Sequence, residues 1–301
     1  MWFKNLQLFR LPKHWSITAD ELEAVLAPQT FLPCTTQQPT SQGWVPPTKD
    51  GRLVFSSNRQ FLLTLRTEKK LLPSSVINQV ARERAAEVAE QQGFRCGRKQ
   101  MKEIKEQVSD ELLPRAFSLQ KDMGVWIDSA NGWLAIDASA SSAAEEVVKL
   151  LVKAIAKFPL KVLHTQRSPV ASMTDWLLAD EAPHGFTIDQ DLELRSTAHG
   201  NATVRYVRHS VEPEEVRRHI QGGKQCTRAA LTWRDKVSFV LTESLAIKRV
   251  AALDVLKENG EVSAGEEERF ESDFLLMAGE IAQMLDDLLL ALGGEQIEAA
   301  A

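Results

Sequence analysis

An apolar stripe close to the C-terminus most constrains what this chain can fold into. Phe274, Met277, Ala278, Ile281, Leu285, Leu288 and Leu292 recur at helical spacing, and Gly293-Gly294 follows as a stop signal. The opposite face of this helix is acidic. Such a helix must bury its stripe on the body of the protein or on a second subunit, because packing rather than propensity holds most helices together.

The preceding sequence offers sheet for it to pack on. Leu6–Leu11 alternates as a strand should, and Leu53–Phe55 and Phe61–Leu65 read as two more. Val125–Asp128 and Trp133–Asp137 flank Asn131-Gly132, which predicts a two-residue hairpin turn with positive φ at both positions. Leu160–Leu163, Gly185–Leu194 and Ala202–Val207 are further strands, the last two joined at His199-Gly200-Asn201. Cys226–Leu253 reads as a three-stranded meander turning near Arg234–Lys236 and Thr242–Ser244.

Helices interrupt the strands. Thr18 and Glu21 form a capping-box pattern for a short helix to Leu26. Ser74 or Ser75 is placed to cap a helix with the stripe Ile77, Val80, Ala81, Ala85, Val88. A second helix spans about Arg98 to Leu112 and stops before Pro114. Helices are also expected over Ala143–Phe158, from Thr174 to Leu178, and from Pro213 to His219 with Gly222 just beyond. Gly43–Pro47 is a rigid extended or turning piece. The fold class is α+β, antiparallel sheets with flanking helices, since the strands fall in hairpins and not in repeated βαβ units.

Charge is the next constraint. The formal net charge of -5 conceals a segregation. Arg66–Lys105 and Arg205–Arg249 each hold ten basic and five acidic residues. From Asp254 onward there are thirteen acidic and two basic residues, which leaves the rest of the chain at +6. Asymmetry of this kind informs about partners where the total does not. No apolar run is long enough to span a membrane, and Met1–Asn5 lacks the pattern of a signal peptide, so a cytoplasmic location is expected.

Enzyme motifs are missing. Gly222-Gly223-Lys224-Gln225 lacks the spacing and the Ser or Thr of a phosphate loop. The six histidines form no i, i+4 pair, and Cys34, Cys96 and Cys226 are too scattered for zinc or a disulfide framework, so no metal and no cofactor is expected. Asp286-Asp287 reads as the solvated face of the last helix, because adjacent helical residues point about 100° apart.

Electrostatics remains as the candidate chemistry. Arg98, Lys102 and Lys105, at i, i+4 and i+7, line one helix face. With Arg115, Arg205 and Arg208 they are the candidate phosphate contacts, and binding through phosphates is only weakly sequence-selective. Tyr206 lies between two basic positions; it can stack on a base or simply point into a sheet.

Several strings point to a known family. Trp2–Leu6, Gly43–Pro47, Leu112–Ser118, Trp126–Asp128, Phe270–Phe274 and Met277–Glu280 lie in order along nearly the whole chain, and together they resemble the RdgC family. That resemblance implies a horseshoe-shaped subunit and a ring-shaped homodimer with a basic hole that encircles duplex DNA. It further implies association with the nucleoid and restraint of a RecA-type recombinase in recombination and fork repair. Double-stranded DNA is the implied ligand, with single-stranded DNA a further candidate. Arg115 falls in the family's Leu-Pro-Arg-Ala-Phe string and would face DNA, and Phe117 in the same string would insert into the partner subunit. Arg208 falls where the family has a basic run, here the sparser Arg205–Arg208.

The expected organisation has four segments. Residues 1–73 form an N-terminal α/β part, 74–118 a basic helical segment with a dimer contact, 119–170 a hairpin and helix, and 171–301 a C-terminal α/β region. An alternative function is inhibition of the recombinase by direct contact through the acidic Phe270–Leu292 helix, with DNA binding incidental. A nuclease whose carboxylates meet only on folding is the third possibility.

Overall fold

The computed structural model describes residues 2–196, 200, 202–208, 212–257 and 265–296. The chain begins with β1 (Asn5–Arg10), α1 (Ala19–Leu26), β2 (Thr40–Val45), β3 (Phe55–Ser57) and β4 (Gln60–Lys70). Helices α2 (Ser74–Gln92) and α3 (Arg98–Leu112) precede β5 (Ser118–Asp128), β6 (Trp133–Ile136), α4 (Ser141–Ala154), β7 (Lys161–Val162) and α5 (Pro169–Ala179). Then come β8 (Phe186–Ser196), β9 (Thr203–Tyr206), α6 (Pro213–Gln221), β10 (Lys224–Trp233), β11 (Val237–Thr242), β12 (Ile247–Ala252), α7 (Asp254–Lys257) and α8 (Glu266–Ala291). The chain divides into two units: residues 1–25, 54–63 and 124–301, and residues 26–53 and 64–123.

The first unit is an antiparallel sheet of order β6-β1-β12-β11-β10-β8-β9, and the expected α+β class with antiparallel sheets holds. β1 joins its two halves. Asn5 and Leu6 pair with Lys248 and Ile247 of β12, while Gln7–Arg10 pair with Ile136–Trp133 of β6. The α8 stripe is buried within its own chain, with none of its seven residues more than 3% exposed. It shares a core with Trp133, Leu231, Trp233, Phe239 and Ile247. Burying such side chains stabilises by roughly 1.5–3 kcal/mol each, which is why this stripe so strongly directs the fold.

The second unit is built on a small helical core and a ladder. α2 and α3 pack through Ala81, Ala85, Ile104 and Val108, flanked by Ile77, Val80, Met101 and Leu112. β2 pairs with β4 from Thr40↔Lys69 to Val45↔Thr64. A Cβ at Gly43 would lie 2.4 Å from the Phe31 Cα, so the close approach of these backbones requires glycine. Gly43–Val45 is therefore strand and not a turning piece.

The local signals hold at some element ends and yield to neighbouring side chains at others. The capping box at Thr18 and Glu21 forms, with Glu21 N–H on Thr18 Oγ1 at 3.2 Å and Thr18 N–H on Glu21 Oε2 at 2.9 Å. Neither Ser74 nor Ser75 caps α2; Pro73 occupies the cap position and fixes the entry. The β5–β6 loop has four residues, since Asp128 pairs with Trp133. Gly132 alone among its residues has positive φ, at 75°. The Asp128 carboxylate closes the loop by accepting the N–H groups of Ala130 and Asn131. α5 starts at Pro169, capped by Ser168, and not at Thr174, whose hydroxyl instead bonds the Val170 carbonyl. α4 ends at Ala154, short of Phe158. His199 and Asn201, expected in a turn, lie outside the described residues.

Candidate nucleic-acid interface

In the β12-β11-β10-β8-β9 part of the first unit's sheet, one face lies in the core and the other points out. Leu192 and Leu194 of β8, Ala229 and Leu231 of β10, and Phe239 and Leu241 of β11 point into the core. Strand side chains alternate, so Asp191, Glu193, Arg195, Arg205 and Arg228 fall on the other side. Glu193 is the centre of this outer face. It stands directly opposite Arg205 of β9 in one ladder and Arg228 of β10 in the other. Arg195, two residues on, shares its face.

The geometry around Glu193 is close. Its carboxylate accepts Arg205 Nε–H at 2.6 Å, Arg195 Nη2–H at 3.2 Å and the Thr227 hydroxyl at 2.9 Å, and the Arg228 Nε lies 3.9 Å away. A register shift between Cys226 and Arg228 brings both Thr227 and Arg228 to this one carboxylate. The Glu193 side chain is only 5% exposed. Burial disfavours its charged form, but the hydrogen bonds from Thr227, Arg205 and Arg195 and the charge of Arg228 outweigh it and lower the pKa. Arg195 also pairs with Glu243 at 3.1 Å.

A second bulge adds cations to the same face. Ser238 pairs with Ala251 but Val240 pairs with Lys248, so Arg249 and Val250 together oppose Phe239. Arg249 takes φ 54° at this point. Val250 turns into the core, and Lys248 and Arg249 both line one cleft with Arg205 and Arg228. Asp191 accepts Arg249 Nη1–H and the Arg208 backbone N–H, each at 2.9 Å. The exposed Arg208 side chain makes no ion pair among the described residues, and it borders the neighbouring cleft with Arg249 and Asp189. Tyr206 faces the core, so it does not stack outward; burial and the Glu215 carboxylate raise its pKa.

In the second unit Arg98 and Lys102 of α3 are exposed and Lys105 is half-buried. Lys102 pairs with Glu106 at 3.6 Å on the same helix, a weak exposed contact. Arg115 is exposed at the end of the 3-10 turn Leu113–Arg115. Nearby Glu111 is held by Arg84, and its pKa is lowered chiefly by that hydrogen bond. Phe117 is 84% exposed, and its carbonyl accepts the Leu71 N–H at 2.7 Å.

The six expected cations thus fall in two groups. Arg98, Lys102, Lys105 and Arg115 belong to the second unit, and Arg205 and Arg208 to the first. Arg195, Arg228, Lys248 and Arg249 were not singled out from sequence. The two bulges that gather most of them leave no mark in residue order. Cross-strand pairing of Glu193 with Arg205 was in principle readable, because both lie on strands that were recognised.

The acidic residues of α8 are largely engaged. Asp286 accepts the Trp133 indole N–H at 3.3 Å, and Asp287 accepts that of Trp233 at 2.8 Å and pairs with Arg234. Asp286 is exposed, as a solvated face requires, while Asp287 is half-buried; both also serve as the polar partners that two core tryptophans need for their indoles. Glu280 pairs with Lys236 at 2.7 Å, and Glu271 accepts the Ser57 hydroxyl at 2.6 Å. Among the described residues no group of three or more His, Cys, Asp or Glu is placed to hold a metal ion, and no helix is long and apolar enough to cross a membrane.

Comparison with known proteins gives a consistent result. A family model described as "RdgC: Putative exonuclease, RdgC" matches residues 1–295. A protein of Herminiimonas arsenicoxydans named "Recombination-associated protein RdgC" is 63% identical over 297 residues, 98% of this chain and 99% of that protein. Proteins of the same name from Janthinobacterium sp. (strain Marseille) and Burkholderia orbicola are 62% and 59% identical, over 98% and 99% of this chain and 99% and 98% of their own.

Proposed function

The chain belongs to the RdgC family of recombination-associated proteins, and from that premise we propose that it binds duplex DNA through phosphate contacts with little regard to sequence. The observation that carries this reading is the outer sheet face of the first unit. Arg195, Arg205, Arg228, Lys248 and Arg249 gather there around Glu193 and Asp191, with Arg208 beside them. The cations outnumber the carboxylates, and a net-positive open surface attracts the DNA backbone by releasing counterions. Arg98, Lys102, Lys105 and Arg115 of the second unit are proposed as further phosphate contacts, since all are at least partly exposed.

The ring-shaped homodimer, the nucleoid location and the restraint of a RecA-type recombinase extend this reading through the family resemblance. Phe117 is the proposed dimer contact, being a large aromatic that its own chain leaves bare. The alternative, docking on the recombinase through the acidic face of α8, is disfavoured because Glu280, Asp286 and Asp287 already serve partners within the chain.

The test is a titration of unrelated duplexes across a range of salt. Similar affinities for all sequences and a steep loss with salt are expected. Salt-independent binding would overturn the reading. Arg115→Glu and Arg208→Glu should each weaken binding to every duplex alike. Loss of end label from duplex DNA in magnesium or manganese would instead assign the exonuclease activity that the family description names.

A further inference from the structure

Phosphate attraction alone does not account for a carboxylate buried at the centre of a cationic face. We propose that Glu193 is the positioning residue of a built phosphate site formed by Arg195, Arg205 and Arg228, whose ligand is a phosphodiester group of a nucleic-acid backbone. The proposal rests on the DNA-binding reading above and assigns to that surface a specific, oriented contact.

The geometry supports positioning over simple neutralisation. A guanidinium has five N–H donors in a rigid fork. Glu193 takes only the Nε–H of Arg205, leaving both of its Nη groups, on a side chain 63% exposed, for an outside ligand. Arg228 is 46% exposed and 3.9 Å from the carboxylate, too far for a hydrogen bond, so its donors also remain available. Three like charges would drive one another apart without an anion between them. Glu193 holds them together, and even with Glu243 on Arg195 the two carboxylates do not cancel three guanidinium charges.

The surroundings suit a phosphate group. The cleft above Glu193 is about 160 Å³ and open to solvent, lined by Arg205, Arg228, Lys248 and Arg249 against Asp191 and Glu193. Small-molecule sites are usually about 300–1,000 Å³ and far more enclosed. Arg249 is paired with Asp191, whereas Lys248 makes no ion pair among the described residues. A fork whose inner edge is fixed presents its outer edge already oriented, and such preorganisation adds affinity without adding charge.

The sign of one substitution tests this. Glu193→Gln in the full chain removes a negative charge, so electrostatics alone predicts tighter binding to duplex DNA. Positioning predicts the reverse: about fivefold weaker binding at fixed salt, because the amide –NH₂ faces guanidinium donors and the fork is released. Glu181→Gln makes the same charge change at an exposed carboxylate outside this cluster and should bind DNA equally or more tightly. Arg205→Lys guards against misfolding of the buried variant, since it keeps the charge at an exposed position and loses only the fork; it should also weaken binding several-fold. If Glu193→Gln binds as tightly as wild type or tighter, and Arg205→Lys is unchanged, positioning is overturned while DNA binding stands. If wild type itself shows no salt-dependent DNA binding, the underlying reading fails. Inorganic phosphate is the probe for the other source. Saturation of the arginine Nε–H resonances by submillimolar phosphate, with no response to DNA, would give the site to a free anion and overturn the assigned ligand.

Discussion

Glu193 and Arg205 face each other across the β8–β9 ladder, joined by a 2.6 Å hydrogen bond from Nε–H to the carboxylate. Burial opposes the charge on Glu193, yet bonds from Thr227, Arg205 and Arg195 prevail and set its pKa below the ordinary 4.5. A carboxyl depressed in the folded state contributes stability that is fully present above its unfolded pKa and is lost as pH falls through the folded value. The urea-unfolding advantage of wild type over Glu193→Gln should therefore hold steady from pH 7 down to about 5.5 and shrink below about 4.5. A gap that stays constant to pH 3 would show that the carboxylate is not stabilised in this way.

The last helix offers a test of packing against polar anchoring. Leu285 is buried in the main core, so Leu285→Ala should cost about 2–5 kcal/mol. Leu290, on the same helix and 76% exposed, should tolerate alanine within about 0.5 kcal/mol. Asp287→Ala strands the indole N–H of the buried Trp233 and should cost roughly 1–3 kcal/mol. Thermal or urea unfolding of the three variants decides. If Asp287→Ala resembles Leu290→Ala, the indole bond contributes nothing measurable.

Much of the fold was legible because its local signals agree with its tertiary demands. The α8 stripe, the Thr18 capping box and Pro213 at the start of α6 each carry their cause within a few residues. The site was legible only in part. Arg205 and Arg208 stood out as a basic run, but Arg228 and Arg249 reach the same face through bulges opposite Glu193 and Phe239. A bulge shifts alternation by one residue, and period-two reasoning then assigns a side chain to the wrong face. The indole bonds of Asp286 and Asp287 escape sequence reading for a related reason. Their indole partners lie 153 and 54 residues away in sequence, and no local pattern announces a bond of that kind.

The three thiols should separate cleanly in reactivity. Burial pushes the Cys226 thiol up to about 12, and its backbone N–H is tied to Thr174 Oγ1 at 3.0 Å. Cys34 and Cys96 are half-buried. Only a thiolate attacks an alkylating reagent, so at pH 8 the folded chain should lose two thiols to iodoacetamide and the third only in denaturant. Mass spectrometry of the labelled peptides gives the answer. Labelling of Cys226 in the native protein at the rate of the other two would mean that its strand opens readily.

Phe117 separates a folding role from an assembly role. Its side chain is 84% exposed, so its own chain gains almost no apolar burial from it. The bond that Leu71 N–H makes to its carbonyl is a backbone contact and survives substitution. Phe117→Ala should therefore leave unfolding of the isolated chain within about 0.5 kcal/mol of wild type. If Phe117 anchors a homodimer, the same change should weaken self-association by about 2 kcal/mol or more, roughly thirtyfold in Kd. Sedimentation velocity over a dilution series reads that second quantity directly. A dissociation midpoint that does not move would leave the exposed ring without a role in pairing, and the proposed ring would have to close through other residues.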